Sequence, residues 1–422
     1  MLAPVLIDNL ATTEPVTGNT PETRPENRAF YPALDGLRAV AFLMVFLQHY
    51  YAMPWGWTGV NIFFVLSGFL ITGILFDSRD DPHRARNFYV RRTLRIFPLY
   101  YAIVFALLLA EPIMHWQWSR AWIAWPLYLG NLLRAWSPRA GMAGSTLQIA
   151  ANGWLESPRF PQLGLSLGHF WSLCVEEQFY LIWPWVVFWI RSRRTLLWVC
   201  GSVVLADVVL RFVGQSFLPA WMIHQDVLHS FTPFAFGSLL LGGWVGLMWR
   251  GPYRDRLVWA GRILLSVGAV VALIYFVHVR YYMHPGRWPN YPYPTWILTI
   301  GIPFANLLSI SLLLCILYPR GILYRLFSLA PLRWLGRLSY GAYVFHDIFH
   351  TVLMYSMNVL SANLALRYGG GFVRLQHYQT QIYPLFVFAL TLVLASLSFR
   401  YLESPFLNLK EKWTIRTSTS HR

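Results

Sequence analysis

The sequence predicts an all-α, polytopic membrane protein of about ten transmembrane helices, with both termini in the cytoplasm. Three observations carry this. Hydrophobic residues fill 56% of the 422 positions and charged residues only 12%, about half the charged share of a soluble domain. The apolar residues gather in many runs long enough to cross a bilayer, which a single large soluble domain would not need. Arg clusters fall after alternate runs, and these set the orientation.

Taken in order, the apolar runs and their breakers place spans at 33–53, 58–77, 96–112, 170–190, 195–213, 229–249, 259–279, 294–318, 339–358 and 380–402. Basic segments follow each even-numbered span: "RDDPHRARNFYVRRTLR", "RSRR", "RGPYRDR", "YPRGILYR" and the tail "KEKWTIRTSTSHR". By the positive-inside rule both termini are then cytoplasmic. The segment "WSRAWIAWPLYLGNLLRAW" (118–136) is apolar and about long enough for a short span. Counting it would move the Arg clusters to opposite sides, so we read it as interfacial or re-entrant, anchored by its Trp and Arg residues. The loops 113–169 and 280–294 are then external. Residues 1–29 are polar and Pro/Thr-rich and read as a disordered cytoplasmic tail. They lack the basic and apolar regions of a secretory signal, so the first span acts as an uncleaved signal-anchor. Residues 30–405 form the transmembrane domain and 406–422 a basic cytoplasmic tail.

Lys and Arg number 34 against 18 Asp and Glu. Because the basic residues sit in short clusters between apolar runs, they point to anionic lipid rather than nucleic acid as partner. They also suit an anionic cytosolic substrate. Only Lys410 and Lys412 are lysines, so the charge is carried by Arg, the better bidentate phosphate ligand. Cys174, Cys200 and Cys315 lie inside predicted spans, and their spacing suggests neither a disulfide framework nor a metal site.

Ionisable residues inside a span are costly and mark function. The first span, "ALDGLRAVAFLMVFLQHYYA", holds three. His49 lies eleven residues after Arg38, about three helical turns, so both share a face about 16 Å apart along the axis. Asp35, three residues before Arg38, is within reach to pair with it. In "RRTLR", Arg91 and Arg95 are four apart with Arg92 adjacent, a guanidinium patch suited to phosphates. "NIFFVLSGFLITG" offers Asn61 and the small residues Ser67, Gly68 and Gly73, which allow close approach of a helix or a ligand. No hydrolase-type elbow surrounds Ser67 to make it a nucleophile. In "GHFWSLCVEEQFY", Glu176 and Glu177 fall within the bilayer region. Only one is expected to face the interior. His169 lies seven residues, about two turns, before Glu176, so both are able to face one cavity. That cavity is either an acceptor site or the source of a carboxylate that orients His49. No His-Glu-x-x-His spacing is present, and no metal is predicted. His346 and His350 lie one turn apart, with Asp347 between.

These blocks resemble the membrane-bound acyltransferase-3 family. The likeness runs through "YPALDGLRAVAFLMVFLQH" with its Arg-x10-His signature, "GVNIFFVLSGFLIT" (59–72), "FYVRRTLRIFPLYY" (88–101), "LGHFWSLCVEEQFYLIWP" (167–184), "LGRLSYGAYVFH" (335–346) and "SFRYLESP" (398–405), all in the family's order. The resemblance implies an integral membrane O-acyltransferase of a bacterial-type cytoplasmic membrane. The acyl group, acetyl foremost, comes from cytosolic acyl-CoA. The acceptor is a hydroxyl of a saccharide such as O-antigen, exopolysaccharide or lipid-linked glycan, or else of a macrolide or other small secreted product. His49 is then the general base, and Arg38, with Asp35 beside it, positions CoA or stabilises charge. Arg91, Arg92 and Arg95 bind CoA phosphates, and Ser67 and Gly68 line the pantetheine path. Glu176 joins the catalytic set, and His169, Trp171, Tyr180, Asn61 and His346 fall to the acceptor. One departure stands out. Many relatives carry an Arg and an Asp before "LLLGG" (239–243), whereas "TPFAFGS" (232–238) has neither. A transporter without chemistry is the reading of another class; the lack of an inverted repeat of broken helices speaks against it.

Overall fold

The computed structural model describes residues 31–51, 53, 55–116, 120–136, 154–155, 164–218, 227–282, 296–319, 321–368 and 371–415. The predicted tail 1–29, residues 416–422 and most of the loops 113–169 and 280–294 lie outside these.

Helices dominate: α1 (Ala33–Tyr51), α2 (Thr58–Asp77), α3 (Arg84–Met114), α4 (Gly130–Trp136), α5 (Trp171–Trp189), α6 (Arg193–Phe217), α7 (Val227–Ser230), α8 (Thr232–Trp249), α9 (Arg254–Tyr282), α10 (Ile302–Ile316), α11 (Ile322–Phe327), α12 (Ala330–Phe345), α13 (His350–Tyr368), α14 (Gly371–Ser398), α15 (Ser404–Asn408) and α16 (Lys410–Trp413). Among the described residues seven helical stretches are long and apolar enough to cross a membrane. They are α2, α3, α6, α7 with α8, α9, the stretch Ile297–Ile316, and Ile382–Trp413. The predicted spans at α1, α5 and α12 are not among the seven. Those helices carry Asp35, Arg38 and His49, then Glu176 and Glu177, then Arg333 and Arg337. The charges lower the apolar average of α1 and α5, and α12, with 16 residues, is too short to count.

The bundle is layered. α2 is 83% buried over its apolar window, whereas α3 and α6 bury 22% and α9 17%. The outer helices present Phe105, Leu108, Leu109, Val209, Leu210, Val267 and Val270 outward, a lipid-facing surface. Glycine sets the inner contacts. A Cβ on Gly68 would lie 1.7 Å from the Leu239 carbonyl oxygen, and one on Gly242 2.0 Å from that of Val65. Only glycine lets α2 and α8 approach so closely. Likewise a Cβ on Gly336 would lie 1.8 Å from the Asp35 oxygen. Gly336 thus meets Asp35 at one end of α1, and the Tyr50 hydroxyl donates to the His346 carbonyl at the other. α1 and α12 therefore run parallel. α2 and α8 also run parallel, since Arg250, just past α8, pairs with Asp77 at the end of α2 at 2.6 Å. Both relations fit the predicted alternation of odd and even spans.

Several expectations are corrected. The ninth span, placed at 339–358, is two helices: α12 ends at Phe345, and a turn holding His346 and Asp347 precedes α13. The expectation that 118–136 does not span needs no correction: its described residues form a 3-10 turn, Arg120–Ala124, and the seven-residue α4, neither long enough to span. Trp125 and Asn131 are buried. Tyr100, in mid-α3, donates to the Trp125 carbonyl at 2.6 Å, so the segment packs against α3. Part of the predicted C-terminal tail is helical and docked, with Asn87 exchanging two 2.9 Å bonds with the Ile415 backbone. One departure from all-α is a two-residue antiparallel pair, Trp154–Leu155 with Leu165–Ser166.

Candidate active site

α1 bears one polar cluster at each end. At the first, Arg38 Nη1 donates to Asp35 Oδ1 at 2.6 Å, both buried. Arg92 and Arg95, on α3, lie within electrostatic reach of Arg38. Arg95 Nη1 meets Glu403 Oε2 at 3.4 Å, both at most 2% exposed. A π-helical turn, Phe399–Glu403, swings that carboxylate inward, and Ser398 Oγ steadies it at 3.1 Å. Arg92 sits 5.6 Å from the Tyr180 ring and Arg95 5.6 Å from the Tyr340 ring. The Tyr180 hydroxyl bonds Ser67 Oγ at 2.8 Å. Among the described residues Arg92 Nη1 and Arg95 Nε and Nη2 are buried donors with no hydrogen-bond partner, and Glu177 Oε1 is an acceptor left over. Buried unmade N–H groups are costly. Three of them converging on one place suit an anionic or strongly accepting ligand.

The other end is the chemical opposite. His49 Nδ1 lies 2.9 Å from the Val45 carbonyl. A carbonyl only accepts, so Nδ1 carries the proton and Nε2 presents a lone pair. The same logic fixes His346, with Nδ1 2.6 Å from the Tyr343 carbonyl, and His169, with Nε2 3.0 Å from the Val344 carbonyl. Among the described residues the remaining ring nitrogens, His346 Nε2 and His169 Nδ1, are buried without a hydrogen-bond partner. The His49 and His346 ring centroids are 5.0 Å apart, and those of His169 and His346 4.9 Å. Asp347 Oδ2 lies 3.7 Å from His169 Nδ1. Three imidazoles are thus locked by backbone carbonyls into tautomers that offer lone pairs. His49 is exposed, whereas His169 and His346 are buried.

The structure sorts the predicted residues between these ends. Arg38, Asp35, Arg92, Arg95, Ser67 and Tyr180 share the arginine end, and Glu176 lies within electrostatic reach of Arg92 there. Tyr180 is therefore not beside His169, and the group that orients His49 is the Val45 carbonyl rather than Glu176. Arg92 takes the buried place on this face and Arg91 is half-buried, because Arg92 and Arg95 are three apart on the inner face of α3. Gly68 is closed by Leu239, which makes it a packing glycine. His49, His169 and His346 share the histidine end. Asn61 pairs with Asn306 at 2.7 Å, and Trp171 packs on Phe64 and His229. Sequence reasoning gave no role to Glu403, Tyr340 or Asp347. The signal for Glu403 was a lone acid inside a quoted block, whose inward turn depends on the π-helical register. The missing Arg and Asp of 232–238 have a counterpart next door. On α6, Arg211 Nε meets Asp207 at 3.0 Å, and its Nη atoms bond the carbonyls of Leu228, Leu298 and Phe234. Asp207 fills the space left by Gly237.

The sequence signature described as an acyltransferase domain, that of acyltransferase 3, matches residues 31–400. Among relatives, the peptidoglycan O-acetyltransferase OatA of Listeria monocytogenes is 26% identical over 397 residues, 90% of this chain and 56% of its own length. YrhL of Bacillus subtilis, provisionally named a peptidoglycan O-acetyltransferase, is 30% identical over 76% of this chain and 49% of its own length. A Staphylococcus aureus protein provisionally named an O-acetyltransferase is 23% identical over 91% of this chain and 58% of its own length. The chain thus spans about half the length of these relatives. No solved structure matches it. With the signature running across nearly all the described helices, the chain belongs to the acyltransferase 3 family.

Proposed function

We propose that the chain is a membrane O-acetyltransferase that moves an acetyl group from cytosolic acetyl-CoA to a hydroxyl of a cell-envelope glycan. The observation that carries this reading is the opposition of the two ends of α1. Unspent guanidinium donors gather at one end and unspent imidazole lone pairs at the other. The donor is a phosphorylated polyanion with a thioester, and the acceptor is an O–H. Each end suits one of them. That relatives act as O-acetyltransferases, one of them by name on peptidoglycan, supports a glycan acceptor.

In this reading Arg92 and Arg95 hold phosphate or carbonyl oxygens of the donor, and Arg38, fixed by Asp35, completes the positive field. The acyl end reaches along the α1 face toward His49, a course of about 16 Å. His49 Nε2 takes the acceptor proton as the hydroxyl oxygen bonds the thioester carbonyl carbon. The C–S bond then breaks, and the electron pair leaves on the CoA sulfur. An imidazole whose ordinary titration lies near neutrality is suited to that work. His346, whose ring centroid lies 5.0 Å from that of His49, packs behind the base.

The test is release of free CoA by the purified protein in nanodiscs, given acetyl-CoA and a panel of glycans. The parent is expected to release CoA only with a suitable acceptor. His49→Gln is expected to lower that release by about a hundredfold or more while still binding acetyl-CoA. Equal release by both proteins would remove His49 as the base.

A further inference from the structure

The histidine end contains a charged group that the proposed transfer does not use. Asp347 lies in the turn between α12 and α13, with its side chain 16% exposed. That turn is tied down, since the Ser166 amide donates to the Ile348 carbonyl at 3.2 Å. This bond brings the turn against the 3-10 turn that carries His169. The carboxylate therefore stands behind His169, His169 behind His346, and His346 beside His49. Every group in the series holds an acceptor: the Asp347 carboxylate, 3.7 Å from His169 Nδ1, then His346 Nε2 and His49 Nε2, on rings 4.9 and 5.0 Å apart in turn. Acceptors facing one another repel unless a proton enters among them. The chemical complement of this pocket is one proton, the one His49 removes from the acceptor hydroxyl.

We propose that Asp347 is a positioning residue for the base. Acting through His169 and His346, its carboxylate stabilises the imidazolium that forms when His49 is protonated. The inference rests on the acyl-transfer reading only for its purpose; the electrostatic link exists whether or not transfer occurs. The groups that face Asp347 are His169 from the 3-10 turn, His350 from α13, Tyr50 from α1 and Tyr383 from α14. His346 and His49 face one another, His169 and His350. The Tyr383 hydroxyl is engaged with His350, at 3.0 Å from its carbonyl, and the Tyr50 hydroxyl with the His346 carbonyl. Among these described groups Asp347 is the one carboxylate.

The experiment reads His49 directly. Diethylpyrocarbonate modifies only unprotonated imidazole, and His49 is the exposed member of the trio. Its rate of modification is followed by peptide mass spectrometry across pH, in nanodiscs, for the parent, Asp347→Asn and Asp347→Glu. On this proposal, removing the carboxylate lets His49 react at lower pH. The midpoint is expected to fall by about half a pH unit in Asp347→Asn, a threefold change in proton affinity, and to return in Asp347→Glu. Asp347→Ser gives the same loss of charge should the amide variant misfold, and retained acetyl-CoA binding at the arginine end reports folding. An unshifted midpoint in the neutral variants, or the same shift in Asp347→Glu, would overturn the assignment. Neither result depends on turnover. Equal CoA release by the parent and His49→Gln counts instead against the reading on which the purpose rests.

Discussion

Arg95 and Glu403 show how single side chains divide stability from chemistry. Their ion pair is buried, so breaking it strands a charge in a dry place. Arg95→Met should cost about 3–5 kcal/mol of stability, read as a fall in unfolding temperature, because Glu403 is left without its partner. The double variant Arg95→Met with Glu403→Met should recover most of that stability, since apolar replacements for a buried pair are often neutral. It should not recover acetyl-CoA binding, because the open Nε and Nη2 donors are gone. Recovery of both would mean that the pair serves packing alone. At this scale the sequence was partly legible. The Arg38–His49 relation follows from helical period, and Asp35 from i, i+3 spacing. The choice of Arg92 over Arg91 depends on how α3 is rotated against α1. The meeting of His49, His169 and His346 depends on three elements far apart in the chain. Neither has a local signature.

Elements are held in register by glycines, and this makes the packing brittle at a few sites. Gly68→Ala places a Cβ against the Leu239 backbone at 1.7 Å, and backbone cannot swing aside as a side chain can. α2 and α8 must separate, so the yield of folded protein and its unfolding temperature should fall sharply. Gly201→Ala, with nothing within 4 Å of its Cβ, should leave both unchanged. A pair of indistinguishable melting curves would contradict this account of the core. Most helices were legible as apolar runs. The break at 346–349 was not, because "YVFHDIFHTV" continues the apolar pattern across the turn. The break is set by contacts from elsewhere: the Ser166 amide holds Ile348 and the Tyr383 hydroxyl holds His350. The course of 120–136 rests on tertiary bonds as well, to Tyr100 and to Gln178, whose amide donates to the Tyr128 carbonyl at 2.7 Å.

The whole molecule explains why polar clusters survive inside a membrane bundle. Helices α3, α6 and α9 present apolar side chains outward, and the charged groups that α1, α3, α5 and α6 bury, among them Arg38, Arg95, Glu176 and Arg211, point inward. The two clusters lie at opposite ends of a single helix, so in the proposed activity one substrate reaches each from its own side of the bilayer. In that proposal the arginine end faces the cytoplasm, as the positive-inside reading of the basic segments expects. The most direct test is a sidedness assay in proteoliposomes of uniform orientation, with acetyl-CoA sealed on one side and the glycan acceptor on the other. Acetylated glycan should form when acetyl-CoA is on the arginine side and the acceptor on the His49 side, and not in the reverse arrangement. Product that forms only when both substrates share one side would contradict the division of labour along α1.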